Sequence, residues 1–381
     1  MSMTEVGAAG DTAGREGLLR RTARLEMPFR STVGPGVGKA RLHTLRWLRD
    51  FGLLTGEAAF EEYDALRLER AMARFYPRAA DEDLMLATDV NGWFFVFDDQ
   101  FDGPLGRRPR DVTRLVDRLV RVMDGREPPA GAPAGPLVES FRDLWHRINE
   151  GMPPVWRDRF RGHWHGYLLA HRREAINRCG DRLPTVEEFL AARRHTIGIQ
   201  PCLDLAERFG RYTLPSALHG GHPLKEMRRI TDEVAIFVND IVSLDKELAV
   251  GDVNNTVVLL RHGTGRPLPD CLREIRAAAN GRVARFRELA AGLPALLGAA
   301  GVPGKTRTHV EDYVDGMRNV MRGSLDWSLE SRRYDDAGVA AVSGGRLRPW
   351  AGLPEGAAPE GAVPDEAVPE RGIGAAGPVR P

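Results

Sequence analysis

The chain has 381 residues, a hydrophobic fraction of 42% and a formal charge of +1 from 54 basic and 53 acidic residues. That balance gives no electrostatic reason to expect a nucleic acid or an acidic membrane surface as partner, and the apolar content is enough for a substantial core. The three cysteines, Cys179, Cys202 and Cys271, lack metal-ligand spacing and are too few for a disulfide framework, which points to a reducing cytoplasm.

Residues 1–27 are small, polar and charged, with no apolar core of the kind a signal peptide needs, and are expected to be disordered. From Pro28 onward apolar residues recur at spacings of three and four. Examples are Leu42, Leu45, Leu48 and Phe51; Val112, Leu115, Leu119 and Val122; and Leu137, Phe141, Leu144 and Ile148. Short Gly/Pro punctuation divides the segments, as at Gly151-Met152-Pro153-Pro154 and Gly220-Gly221-His222-Pro223. Period-two runs are scarce, so the pattern predicts about ten to twelve helices in an all-α, single-domain bundle over residues 28–334. The most apolar stretch, Leu289 to Val302, is short and interrupted by Gly292, Pro294 and Gly298, and cannot span a bilayer. Residues 335–381 are rich in Gly, Pro, Ala and Glu and cannot bury enough apolar area to offset their ordering entropy. They are expected to form a disordered tail.

Two polar clusters stand out of this apolar background. The first closes the run Leu84 to Asp102, where Trp93, Phe94, Phe95 and Phe97 lead into Asp98-Asp99-Gln100-Phe101-Asp102. Asp98 and Asp102 lie four residues apart, about 6 Å along a helix axis and nearly in register, and Asp99 lies about 100° round from Asp98. Carboxylates so close repel unless water or a cation neutralises them. The second cluster is Asn239, Ser243 and Glu247, spaced i, i+4 and i+8 within an otherwise apolar helix. Short Ser243 sits between longer Asn239 and Glu247, so one ion can be reached by all three. Lys246, one of only four lysines, returns to the same face. Both donor sets are all-oxygen, which suits a hard cation such as magnesium. The bland alternatives are a solvated acidic helix end and a polar stripe facing solvent. The apolar residues around each cluster argue against both.

With these motifs in this order, the sequence resembles a bacterial class I terpene synthase. The resemblance rests on Asp98-Asp99-Gln100-Phe101-Asp102 and on Asn239-Asp240-Ile241-Val242-Ser243-Leu244-Asp245-Lys246-Glu247. Arg193, 46 residues before Asn239, stands where the family has a diphosphate-sensing arginine. Arg333-Tyr334 stands where its ordered domain ends. The resemblance covers about Pro28 to Tyr334 and implies the class I terpenoid synthase bundle. It implies three Mg2+ ions: two held by Asp98, with Asp102 assisting and Asp99 as a further metal residue, and one by Asn239, Ser243 and Glu247. It implies that Arg193, Lys246, Arg333 and Tyr334 bond the diphosphate of a prenyl diphosphate substrate, with Arg194 beside them. A helix break at Ile197 and Gly198, before Pro201, would turn a carbonyl toward the substrate.

Such an enzyme ionises a prenyl diphosphate, farnesyl diphosphate by default and a C20 or C10 chain as alternatives. It then guides the carbocation to a cyclic hydrocarbon or alcohol. Candidate aromatics facing the cation are Phe94, Phe95, Phe75 or Tyr76, and Trp327, each of which has ordinary core packing as its alternative. His163, His165 and His171 are given no catalytic role, because the chemistry requires no amino-acid nucleophile, and no companion carboxylate at suitable spacing supports a histidine–metal reading. A chain-elongating prenyltransferase would carry a second aspartate-rich motif where the Asn/Ser/Glu stripe stands. A non-catalytic helical binding protein would need neither cluster. Helical bundles of this kind often form homodimers, and no surface feature of the sequence decides that point. Truncation after Asp336 is expected to leave turnover largely unchanged; a well-folded truncated chain without activity would show that the tail caps the site.

Overall fold

The computed structural model describes residues 21–335 except 102–103, 127–134 and 180–181, together with Gly17 and Gly338. Asp102 and the tail from 336 on, Gly338 apart, lie outside the described residues. Among those described there are fourteen α-helices, two short 3-10 turns and no β-strand. In chain order the helices are α1 (Val37–Asp50), α2 (Glu57–Ala65), α3 (Leu68–Phe75), α4 (Asp81–Phe101), α5 (Pro109–Met123), α6 (Pro136–Asn149) and α7 (Pro154–Asn177). Then follow α8 (Val186–Thr196), α9 (Ile199–Phe209), α10 (Ser216–Gly220), α11 (Leu224–Val250), α12 (Thr256–Thr264), α13 (Leu268–Ala299) and α14 (Gly304–Glu330). The number exceeds the expected ten to twelve because Gly and Pro cut segments that periodicity alone runs together.

Local signals explain the boundaries. Asp81, Glu82 and Asp83 open α4, where the helix dipole favours negative charge. Thr185 and Glu188 form a capping box at the start of α8. Asn255 caps α12 by accepting from the backbone N–H groups of Val257 and Val258. Gly198 parts α8 from α9 at φ +73°, a conformation that favours glycine. Pro201 then falls in the first turn of α9, where its missing N–H costs nothing.

The bundle is built around α4, which packs on α1, α3 and α6, and α11, which packs on α8, α13 and α14. The predicted faces of α5 and α6 are buried as expected. The prediction for α1 was a register too simple: Leu42 is 52% exposed, and the buried face is Ala40, Thr44, Trp47 and Leu48. Beside α4 lies an aromatic stack. The Trp93 ring stacks on Phe97 at 4.7 Å, and Phe94 stacks on Trp164 at 4.7 Å with 13° between planes. Six apolar residues surrounding the second stripe, Ile236, Phe237, Val238, Ile241, Val242 and Leu244, are all buried. That burial fixes the phase of α11 and turns its polar stripe inward.

The ordered body begins earlier than Pro28. Residues 21–27, expected to be disordered, lie along α13 and α14. Asn280 bonds the Arg24 carbonyl and the Glu26 amide, both at 2.9 Å. Arg322 donates to the Met27 carbonyl at 3.0 Å, Met27 is buried, and Arg21 pairs with Asp245. Composition hid this because one apolar anchor and backbone bonds to a distant helix leave no local pattern. Trp164 fills the centre of the aromatic stack and has no exposed surface. Trp164→Ala is expected to cost about 3 to 5 kcal/mol in denaturant unfolding; a loss below about 1 kcal/mol would mean that the stack is not a packed core.

Candidate active site

A cavity of about 220 Å3 opens between α3, α4, α7, α8, α9, α11 and α14. Packed interiors hold few voids larger than a water, so a space of this size is a built feature. Its lower wall is apolar, with Met72, Phe75, Phe94, Phe95, Ile199, Ala235, Val238 and Trp327. Its mouth carries Asp98, Asp99, Arg193, Asn239, Ser243, Lys246, Glu247, Arg333 and Tyr334. Helices far apart in sequence therefore bring both predicted clusters to one opening.

Asp98 and Asp99 end α4, where the helix dipole disfavours negative charge. Each has its own compensation. Asp98 accepts from the Tyr167 hydroxyl at 2.5 Å and meets His171 Nε2 at 3.0 Å on the same oxygen. The other ring nitrogen of His171 faces the Tyr167 carbonyl at 3.0 Å. Both nitrogens thus face acceptors, which only an imidazolium satisfies with two donors. Burial opposes the charge, but the bond to Asp98 and its negative charge more than offset that, and the His171 pKa lies above its usual value. Asp99 is held by Arg333 Nη2 at 3.0 Å, and the guanidinium lies over the Phe95 ring at 4.9 Å. Arg333 is thereby tied to α4, and Tyr334 beside it is tied to α11.

On α11 the Asn239 amide is oriented from both sides. Its oxygen accepts from Arg193 at 3.2 Å and its nitrogen donates to the Tyr334 hydroxyl at 3.1 Å. Ser243 donates to the Asn239 carbonyl at 2.7 Å, which leaves its oxygen lone pairs available. Arg193 also bonds Thr196, which donates to Glu174. Glu247 accepts from Asn255 at 2.6 Å, and Asn255 also bonds the Asp240 carbonyl. Asp240 in turn receives the Thr256 backbone N–H at 2.8 Å. Burial, then the charge of Asp240, hold the Glu247 carboxyl above its usual range.

Most predicted site residues meet here: Phe75, Phe94, Phe95, Ile197, Gly198 and Trp327 line the cavity together with the mouth groups. Gly198 has close backing, since a Cβ there would touch the Phe94 ring at 3.8 Å. Two expectations are corrected. Arg194 does not line the cavity; one residue past Arg193 on the helix, it points away and pairs with Glu233 at 3.0 Å. Tyr76 does not line it either; its hydroxyl donates to the Cys202 carbonyl and its ring packs on Phe209. Sequence reasoning missed Tyr167 and His171, because their partner Asp98 is 69 and 73 residues away. Helical spacing cannot show such a pair.

The mouth fits a divalent cation. Its donors are carboxylate, amide and hydroxyl oxygens on two facing elements, and Glu247 is a carboxylate whose charged form lacks full compensation. A second group with metal-ligand atoms, Asp204, Glu207 and His219, is buried away from the cavity. There the Arg159 guanidinium already bonds both carboxylates, at 3.2 and 2.6 Å, and supplies the positive charge. His163 bonds Asp204 at 2.6 Å, again a pairing across helices.

The comparisons agree with this geometry. The family described as terpene synthase family 2, C-terminal metal binding, matches residues 89–285. Pristinol synthase of Streptomyces pristinaespiralis is 56% identical, covering 88% of this chain and 90% of that protein. Pentalenene synthase of Streptomyces arenae is 36% identical, covering 84% and 95%. The crystal structure of germacradien-4-ol synthase from Streptomyces citricolor superposes with TM-score 0.72 at 30% identity, covering 81% and 98%.

A carboxyl whose folded pKa is raised stabilises the fold while protonated and withdraws that stabilisation as pH rises through its folded value. With a chelator present, stability is expected to fall as pH rises from about 5, above the usual carboxylate range, and Glu247→Gln is expected to flatten that fall. Denaturant midpoints across the range check this; identical slopes in the two proteins would show that Glu247 ionises normally.

Proposed function

This chain belongs to the terpene synthase family, and we propose that it ionises farnesyl diphosphate and cyclises the resulting cation to a sesquiterpene, releasing diphosphate. The observation that carries the reading is the division of one cavity into a charged mouth and an apolar floor. Bond cleavage makes a carbocation and a multiply charged anion, and these need opposite surroundings. The named relatives are sesquiterpene synthases, which makes the reaction that of a lyase acting on a prenyl diphosphate.

The family uses a divalent metal, and we assign magnesium, three ions, to the mouth. Asp98, with Asp102 assisting and Asp99 as a further metal residue, would hold two of them, and Asn239, Ser243 and Glu247 the third. When bound, these ions neutralise the charge that develops on the departing diphosphate.

The chain's own residues do the rest. Arg193, Lys246, Arg333 and Tyr334 surround the opening and present hydrogen-bond donors to diphosphate oxygens. Arg193 and Tyr334 already meet at Asn239, so an anion bound there is gripped by α8, α11 and the C-terminal turn together. The Arg333–Asp99 pair holds that turn across the mouth and limits access of water. Below, Phe94 and Phe95 on α4 and Trp327 on α14 present ring faces and edges to the cation. Each such contact contributes about 0.5 to 2 kcal/mol. Phe94 is braced by Trp164 and Tyr167 and Phe95 by Trp327, so the rings keep one contour.

Incubation with farnesyl diphosphate, with and without magnesium, tests the reading. Diphosphate and a volatile C15 product are expected to form only with the metal. Diphosphate release without a terpene would contradict cyclisation. Asp98→Ala and Asn239→Ala are each expected to lower kcat/KM by at least about 100-fold while circular dichroism stays unchanged. Near-wild-type rates in either variant would refute the assigned roles.

A further inference from the structure

Polar groups on the cavity wall fall into two sets. Those at the mouth named above are paired with other side chains or with backbone. Two groups deeper in are not. Asn91 is 8% exposed and Ser328 is 3% exposed, and both line the cavity. Among the described residues neither side chain has a hydrogen-bond partner. Asn91 lies seven residues before Asp98 on α4, hence on the same face and about 10 Å deeper. Phe94 and Phe95 separate it from the charged mouth.

Ser324 and Ser328, on α14, line the same cavity as Asn91. Arg333 pairs with Asp99, and Trp327 packs edge-on against Phe95 at 5.6 Å. Trp327 sits between Ser324 and Ser328 in the sequence of α14. The Ser324 hydroxyl donates to the Val320 carbonyl at 2.8 Å, leaving its oxygen as an acceptor.

An amide turned into a hydrocarbon surface is unfavourable unless something pairs with it, and buried polar side chains almost always have a partner. A leucine would fill the same place without that penalty. A water requires a polar niche with two to four partners. An amide offers a donor and an acceptor, and serine hydroxyls lining the same cavity offer the remainder. We propose that Asn91, with Ser324 and Ser328, holds a water at the floor of the cavity, and that this water attacks the final carbocation, so that the product is a sesquiterpene alcohol.

The step balances without an oxidant or reductant. A lone pair of the water oxygen forms the C–O bond to the cationic carbon. The surplus proton leaves the oxonium for the diphosphate that ionisation supplied, the strongest base in the site, and the Asn91 amide serves only to orient the water. Asn91 thereby becomes a specificity-determining residue that orients the quenching water.

The inference rests on the cyclase reading, and one experiment separates the two. The full chain is incubated with farnesyl diphosphate and magnesium in 18O-labelled water, with diphosphate release followed in parallel and products resolved by gas chromatography and mass spectrometry. The main product is expected to be an alcohol carrying the heavy isotope. Asn91→Leu is expected to lower the ratio of alcohol to hydrocarbon by about tenfold or more, and Ser328→Ala by a smaller factor. The ratio is read whatever the total rate. Should Asn91→Leu fail to fold, Asn91→Ala decides in the same way. Diphosphate release with only hydrocarbon, or with an unlabelled alcohol, overturns the water and leaves cyclisation standing. An unchanged ratio in the Asn91 variant overturns the role of Asn91. No diphosphate release at all overturns the cyclase reading itself.

Discussion

Neighbouring carboxylates at the C-terminal end of a helix are held in place only if separate partners compensate each of them. Asp98 has Tyr167 and the His171 imidazolium from α7, and Asp99 has Arg333 from the chain's C-terminal turn. The two sets of partners come from different elements, so each carboxylate at the opening is held separately. The same compensation links elements that the fold otherwise leaves independent. Arg333 brings Tyr334 to Asn239, and Asn239 brings Arg193. The mouth is therefore one connected set of charges and dipoles that an anion and its counter-ions can reorganise.

Below the mouth the logic reverses. The Asn255 and Asp240 contacts that lock the end of α11 keep polar atoms engaged with backbone, away from the cavity. Trp164 and Tyr167 brace Phe94, and Trp327 braces Phe95, so the apolar wall is rigid where a cation must be shaped. Asn91 breaks this rule and for that reason stands out. Among the described residues, Asn91 and Ser328 make this largely apolar wall polar at a few points.

Much of this arrangement was legible in the sequence. Spacing of three and four gave the helices, the aromatic run placed Asp98 and Asp99 beside a pocket, and apolar neighbours turned the Asn239, Ser243 and Glu247 stripe inward. What could not be read was pairing across helices. Asp98 with His171, Asp99 with Arg333, and His163 with Asp204 join residues whose separation carries no periodic signal. Arg194 and Tyr76 failed for a related reason. Each adjoins a residue that faces the cavity: one step along the helix turns Arg194 by about 100°, and Tyr76 leaves the helix at its C-cap. Residues 21–27 were misjudged because composition reports the capacity to form a core and not the capacity to lie on one.

The central claim is that Asp98 on α4 and Asn239, Ser243 and Glu247 on α11 grip a single metal–diphosphate cluster over an apolar cavity. Anomalous diffraction from crystals grown with Mn2+ and inorganic diphosphate measures it directly. The account predicts anomalous peaks within bonding distance of Asp98 and of all three α11 side chains, with the diphosphate between them and against Arg193 and Arg333. Peaks at Asp204, Glu207 and His219 instead, or a diphosphate bound with no metal contact to α4, would contradict it.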